Sequence, residues 1–331
     1  MTSRGDEGPG ACVRSDRTVD YLRLSVTDRC NYRCVYCMPP EGVEFRPHDE
    51  ILSYEDMAFF VSVARESGIS KVRLTGGEPL VRKGVADLVR LLRAIDGVED
   101  VSLTTNGTLL PQFAVELKAA GLSRVNVSLD SLDPERYGQL SRGGDLRRAL
   151  AGVQAALDHD LQPVKINAVM LPELLGELEA FVALTRDRPL HVRFIEWMPV
   201  GSCGPSTDAE SLSRAELTAA LARLGDLVDV VPPRGFGPAE YFQFAGHMGT
   251  IGFISSMSGH FCGDCNRLRL TADGKLRSCL FSDDEVAVRD AVRARDRGAT
   301  RERIRAVLAG KTFDKRIVPV VNTRGMSQIG G

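Results

Sequence analysis

A chain of 331 residues with a formal charge of −2 and 43% hydrophobic residues suits one large α/β domain with an addition, and it argues against a broad surface for nucleic acid. No run of about eighteen apolar residues occurs, so no membrane span is expected. The opening MTSRGDEGPGACVRSDRT lacks an apolar stretch of the secretory kind, which points to the cytoplasm, and in that reducing compartment the 8 cysteines read as metal ligands or catalytic thiols rather than disulfides.

Residues 1–18, polar and Gly-rich, read as a flexible extension. From Tyr21 to about Pro199 strand-like and helix-like segments alternate. YLRLSVT is the first strand. SYEDMAFFVSVARESG follows the cysteine loop as a helix, with Ser53 at the N-cap, Asp56 at N3 and Gly68 at its end. KVRLT precedes a helix whose Val85, Leu88, Val89 and Leu92 fall on one face. DVSLTTN, a helix over PQFAVELKAAG and RVNVSLD come next. A helix opening at Asp145 then aligns Leu146, Ala149, Leu150, Val153 and Leu157. PVKINAVM, a helix over LPELLGELEAFVALTRD and LHVRFIEW complete the series. Repeated βα units imply a parallel sheet covered by helices. Six units are two short of a closed eight-stranded barrel, so the expected fold is α/β, a partial (βα)6 barrel over 19–200, with an open doubly wound sheet as the alternative. Residues 201–331 read as a C-terminal domain of short β segments and helices that closes the open side, with a helix from Ser213 to Leu224 and a Gly-Gly tail.

The strands carry a second pattern. Arg23 and Ser25 alternate with Leu22 and Leu24, Arg73 with Val72 and Leu74, and Thr104 with Leu103. Asn126 and Ser128 alternate with Val125 and Val127, Lys165 and Asn167 with Ile166, and His191 and Arg193 with Val192. Side chains alternate between faces, so one face is apolar and the other polar and net basic. Burying that many cations without partners is prohibitive. The polar face is therefore expected to hold water and a large anionic ligand.

Six of the cysteines form two groups: Cys30, Cys34 and Cys37 just after the first strand, and Cys262, Cys265 and Cys279. Cys12 and Cys203 stand apart as ordinary thiols. Three thiolates on a four-iron cluster leave one iron without a protein ligand, and an open site is the mark of a catalytic metal. Zinc is the alternative for each group, with His260 as a fourth ligand for the second. Asp273-Gly274 signals a two-residue hairpin that pairs Leu268 with Cys279 and brings Cys279 back beside Cys262 and Cys265. That register puts Arg267 and Arg269 on the face opposite Cys279.

CNYRCVYC resembles the CxxxCxxC signature of the radical S-adenosylmethionine (SAM) superfamily, and TGGEP at 75–79 resembles its GGEP motif. Two three-cysteine groups, CNRLRL and a terminal IGG resemble the GTP 3′,8-cyclase family, which opens molybdenum cofactor biosynthesis. The resemblance implies two 4Fe–4S clusters, one chelating SAM and the other taking the guanine of GTP. It implies SAM contacts at Tyr36, Gly77, Ser128 and Met198, and GTP contacts at Arg23, Arg73, Thr104, Lys165 and Arg267-Leu268-Arg269. It implies that the tail reaches the active site and that Arg324 assists the radical chemistry. The implied partners are GTP, a flavodoxin- or ferredoxin-like electron donor, cyclic pyranopterin monophosphate synthase downstream and a second copy in a homodimer, with no membrane or nucleic acid. A radical SAM peptide modifier and a zinc-stabilised binding module are the rival readings. The basic sheet face, CNRLRL and the absence of a CxxC…CxxC pairing speak against them.

Overall fold

The computed structural model describes residues 18–201, 212–259, 261–311 and 323–330. The expectations for residues 1–17 (Cys12 among them), Cys203, His260 and Gly331 fall outside the described residues.

In β1 (Tyr21–Ser25) the alternation does what the sequence implies: Leu22 and Leu24 are fully buried in the main hydrophobic core, while Tyr21 and Arg23 face a cavity. The loop that follows leads to α1 (Tyr54–Arg65), started by a reciprocal capping box between Ser53 and Asp56. β2 (Lys71–Thr75) leads to α2 (Val85–Arg93), which buries the expected stripe of Val85, Leu88, Val89 and Leu92. Each such side chain withdrawn from water contributes about 1.5–3 kcal/mol. β3 (Asp100–Thr105), α3 (Leu110–Ala119) and β4 (Arg124–Ser128) continue the pattern.

α4 (Pro134–Ser141) has no counterpart in the sequence reading. Asp133 caps it and Pro134 opens it, but Tyr137 is its one buried apolar side chain, so no periodic stripe announces it. α5 (Leu146–Asp158) and β5 (Val164–Val169) match expectation. The next helix is shorter than its sequence suggests. Pro172–Glu177 forms a 3-10 segment before α6 (Leu178–Ala183) leads to β6 (Leu190–Ile195). α7 (Arg214–Ala222) starts on a second capping box, Ser213 with Glu216.

The C-terminal strands are β7 (Leu227–Asp229), β8 (Glu240–Phe244), β9 (Thr250–Ile254), β10 (Arg267–Leu270), β11 (Lys275–Arg277) and β12 (Val286–Ala287). α8 (Arg289–Arg293), α9 (Arg297–Ala309) and α10 (Met326–Ile329) complete the fold. Among the described residues, twelve strands join one sheet in the order β12-β11-β10-β1-β2-β3-β4-β5-β6-β9-β8-β7. β10 pairs parallel with β1, and β9 pairs parallel with β6. The C-terminal segments thus add one parallel strand to each edge of the six expected, satisfying backbone groups that an edge leaves unpaired. β9 and β10 are not neighbours, so the barrel stays open.

The hairpin register differs by one from the sequence reading. Arg269 pairs with Arg277 and Leu270 with Leu276. Thr271 and Lys275 close a three-residue turn in which Gly274 adopts φ +76°, the left-handed position of a three-residue loop. A slip of one residue moves every side chain to the other face. Arg267 and Arg269 therefore share the cavity face with Cys279 instead of opposing it.

Candidate active site

One cavity of about 320 Å³ receives side chains from all eight parallel strands, so the sheet curls around it. The parallel registers set Arg269 beside Arg23 and Arg23 beside Arg73, a row of three guanidiniums across β10, β1 and β2. Thr104, Asn126, Ser128, Asn167 and Arg193 line the wall further round. Burial lowers Arg73 below the ordinary arginine range, and its Nε is buried without a hydrogen-bond partner. Burial and then Arg269 lower Arg23, and burial brings Arg269 down to about 10. Like charges this close and this dry are costly unless an anion joins them. Arg193 is tied to Asn167 Oδ1, its Nε donating at 2.9 Å. Lys165 stands on the same face but does not line the cavity: its Nζ donates to the carbonyls of Pro233 (3.3 Å) and Arg234 (2.7 Å). Burial, followed by Arg193, Arg124 and Arg73, pushes its amine down to about 6.

Cys30, Cys34 and Cys37 line the cavity in the loop after β1. The backbone N–H groups of Cys37 and Met38 both donate to the Cys34 carbonyl, and the Tyr32 N–H approaches the Cys30 sulfur at 3.4 Å. Arg142, at the end of α4, donates to the carbonyls of Arg33 and Met38 and pins the loop from behind. Gly77 explains part of the TGGEP motif. A Cβ there would lie 2.4 Å from the Arg29 carbonyl oxygen, so only glycine lets the cysteine loop pack this closely. Glu78 accepts from the N–H groups of Leu80 and Asn106 and from the Thr105 hydroxyl, and burial raises its carboxyl to about 7. Tyr36 donates to Asp130 Oδ2 at 2.6 Å, and Met198 lines the cavity. Burial pushes Cys30 up to about 11 and Cys34 well above its usual value.

Cys262, Cys265 and Cys279 line the same cavity from the loop before β10 and the segment after β11. The Phe281 N–H approaches the Cys279 sulfur at 3.4 Å. Burial raises the Cys265 thiol, but Arg267 and Lys311 together outweigh it and bring it down to about 6. Among the described residues no three Cys, His, Asp or Glu side chains gather tightly enough for one metal ion. A four-iron cube presents each thiolate with a separate iron, so sulfur donors spread along a cavity wall fit it. Both triads offer such donors with backbone N–H groups aimed at sulfur.

The C-terminal turn enters this space. Met326 and Ser327 line the cavity, and the Gly330 carbonyl accepts from Arg269 at 3.1 Å. Gly330 has φ +85°, and a Cβ there would lie 2.6 Å from Thr75 Oγ1, so glycine is required on both counts. Two sequence expectations change here. Arg324 does not line the cavity; its guanidinium is bridged to Asp273 at 2.9 Å and to Glu285 at 2.9 Å, which anchors the tail. Leu268 points into the apolar core between two cavity-facing arginines, as strand alternation requires. The sequence reading missed Asp130, the partner of Tyr36, and Lys311, whose Nζ donates to Ser278 O at 2.6 Å and to Cys265 Sγ at 3.6 Å. Asp130 ends the alternating run RVNVSLD and was legible as a polar-face position; Lys311 follows a helix with no pattern around it.

Residues 24–185 match the family model described as Radical SAM superfamily, and residues 190–316 match Molybdenum Cofactor Synthesis C. The chain is 48% identical over 321 residues to the GTP 3′,8-cyclase of Pelotomaculum thermopropionicum, covering 95% of this chain and 98% of that one. It is also 48% identical over 320 residues to the GTP 3′,8-cyclase of Petrotoga mobilis, with the same shares covered. Among solved structures, Streptococcus suis SuiB bound to S-adenosylmethionine aligns with a TM-score of 0.58 at 13% identity, covering 82% of this chain and 63% of that one. At that identity the likeness is one of fold.

Proposed function

The chain belongs to the GTP 3′,8-cyclase family of the radical SAM superfamily, and from that premise we propose how its own residues divide the work. The reaction converts GTP to (8S)-3′,8-cyclo-7,8-dihydroguanosine 5′-triphosphate, the first step of molybdenum cofactor biosynthesis. Its cofactors are SAM and two 4Fe–4S clusters. Bound in place beside Cys30, Cys34 and Cys37, the first cluster and SAM would supply radical chemistry directed at the ribose 3′ position.

Cys30, Cys34 and Cys37 hold the SAM cluster, and Tyr36, Gly77, Ser128 and Met198 shape the space for SAM. Cys262, Cys265 and Cys279 hold the second cluster. Arg23, Arg73, Thr104, Arg267 and Arg269 bind the nucleotide by charge-assisted hydrogen bonds. Lys165 joins them when a triphosphate offers better acceptors than two carbonyls. The protein's task is to fix the sugar carbon against the SAM pocket and keep water out, and the glycine tail contributes to the second. Arg324 acts on the tail and not on the reacting atoms. The work divides between a barrel region, residues 19–200, and a C-terminal region, residues 201–331, whose strands extend the same sheet. A flavodoxin- or ferredoxin-like protein supplies the electron, cyclic pyranopterin monophosphate synthase takes the product, and the protein works in the cytoplasm as a homodimer.

One observation carries these assignments: both thiol triads and the arginine row line one cavity. Anaerobic reconstitution with iron and sulfide tests them. Two clusters correspond to about eight irons per chain, and GTP with SAM yields 5′-deoxyadenosine and the cyclised nucleotide. Zinc uptake without iron, or 5′-deoxyadenosine formed only with a peptide, would overturn the assignments.

A further inference from the structure

Lys311 is the first residue beyond Gly310, at the end of α9, and it is buried although lysine is rarely so. Its amine reaches two chain segments at once. It donates to the carbonyl of Ser278, the residue before Cys279, at 2.6 Å, and to the sulfur of Cys265 at 3.6 Å. One ammonium therefore ties together the loop before β10 and the strand end after β11, the two places that supply the second thiol triad. Burying a lysine is costly unless something negative meets it. Here the groups that meet it are the Cys265 sulfur and the Ser278 carbonyl. Arg267 also faces this group, stacked on Phe261 at 5.0 Å, and Arg269 is turned toward the tail.

The potential of an iron–sulfur cluster follows its net charge and the hydrogen bonds to its sulfurs. A fixed cation beside one ligand stabilises the reduced, more negative form. We propose that Lys311 is a positioning residue of the second cluster, whose ammonium clamps the Cys265 and Cys279 segments together and raises that cluster's reduction potential. This rests on the assignment of Cys262, Cys265 and Cys279 as cluster ligands.

The test is an electron-spin-resonance redox titration of the full reconstituted chain, with Cys30, Cys34 and Cys37 changed to Ala so that only the second cluster is read. Lys311→Gln keeps the hydrogen-bond donors and removes the charge. The expected result is a midpoint more negative by the equivalent of about tenfold in the reduced-to-oxidised ratio, or about 59 mV for one electron. Iron loss to a chelator is also expected to be faster. Lys311→Arg is expected to restore both. A midpoint in Lys311→Gln equal to that of the lysine form overturns the proposal. If Lys311→Gln holds no iron, Lys311→Arg decides: full iron and the original midpoint support a charge clamp, and loss of iron there overturns it in favour of mere packing. The otherwise unaltered chain is the control for the ligand assignment. If it takes up only about four irons instead of eight, the ligand reading has failed; about eight with an unmoved midpoint means that only Lys311 has.

Discussion

Around Cys30 and Cys34 burial pushes the thiols up, and the charge of Arg33, which acts on Cys30, does not reverse it there. Arg33 is occupied with the carbonyls of Cys30 and Tyr32. Around Cys265 the same burial is overcome by Arg267 and Lys311. The first triad packs closely against backbone, with Gly77 against Arg29 and Arg142 behind the loop; in the second, Arg267 and Lys311 stand beside Cys265. Two sites with the same ligand count can thus be built by different physics. The first surrounds its thiols with packed backbone, and the second sets positive charge beside a thiol.

The most severe way to separate the two is to delete one ligand from each. Cys34→Ala is expected to lose four of about eight irons and all 5′-deoxyadenosine. Cys265→Ala is expected to lose the other four while 5′-deoxyadenosine still forms without cyclised product. Iron content and product chromatography report both, and identical phenotypes would erase the distinction. Next is Arg73→Ala, which removes a charged contact worth about 1.5–3 kcal/mol, or roughly 10–100-fold in GTP affinity, with both clusters retained. Equilibrium binding that stays unchanged would remove Arg73 from the nucleotide site. Gly77→Ala tests the packing side of the comparison. Forcing a Cβ against backbone costs about 1–3 kcal/mol, seen as a lower Tm and weaker first-cluster occupancy, whereas Arg267→Ala is expected to spare the first cluster. A Tm equal to that of the unaltered chain in Gly77→Ala would count against a packing role.

The last prediction concerns Lys165. Its amine is pushed down to about 6 from an ordinary 10.5, so at pH 7.5–9 the empty site holds it neutral. The unfolded chain keeps that proton up to about 10.5, so between about 6 and 10.5 the unfolded state binds the extra proton, and this group's cost to folding shrinks as pH rises across that window. Triphosphate binding is expected to return the proton. GTP affinity is therefore expected to fall as pH rises from 7.5 to 9, by up to about tenfold per pH unit, and Lys165→Met is expected to flatten that slope. Calorimetry in two buffers of different ionisation heat measures the proton directly, and zero uptake in the unaltered chain would falsify the switch.

Much of this was legible along the chain because it depends on neighbours in sequence. Leu22 and Leu24 against Arg23, or Val125 and Val127 against Asn126, reveal the two faces of a strand without any partner. Ser53 with Asp56 and Ser213 with Glu216 announce helix starts within four residues. No apolar stripe reveals α4 because its apolar burial rests on Tyr137 alone, and the hairpin register differs because Gly274 closes a three-residue turn where Asp273-Gly274 suggests two. Arg324 shows the limit of motif transfer: its number follows from the resemblance, but its partners Asp273 and Glu285 lie about fifty and forty residues away.

By itself the sequence determined the βα order, the basic inner face, the two thiol triads and, through the resemblance, the family. These are properties of local periodicity and of short spacings. Only the tertiary structure decided that β9 and β10 cap the two edges of one sheet, that three arginines from β10, β1 and β2 stand side by side, and that Lys311 reaches the second triad. Those facts depend on which distant segments share a backbone ladder or a buried charge, and no periodicity within a segment encodes its partner.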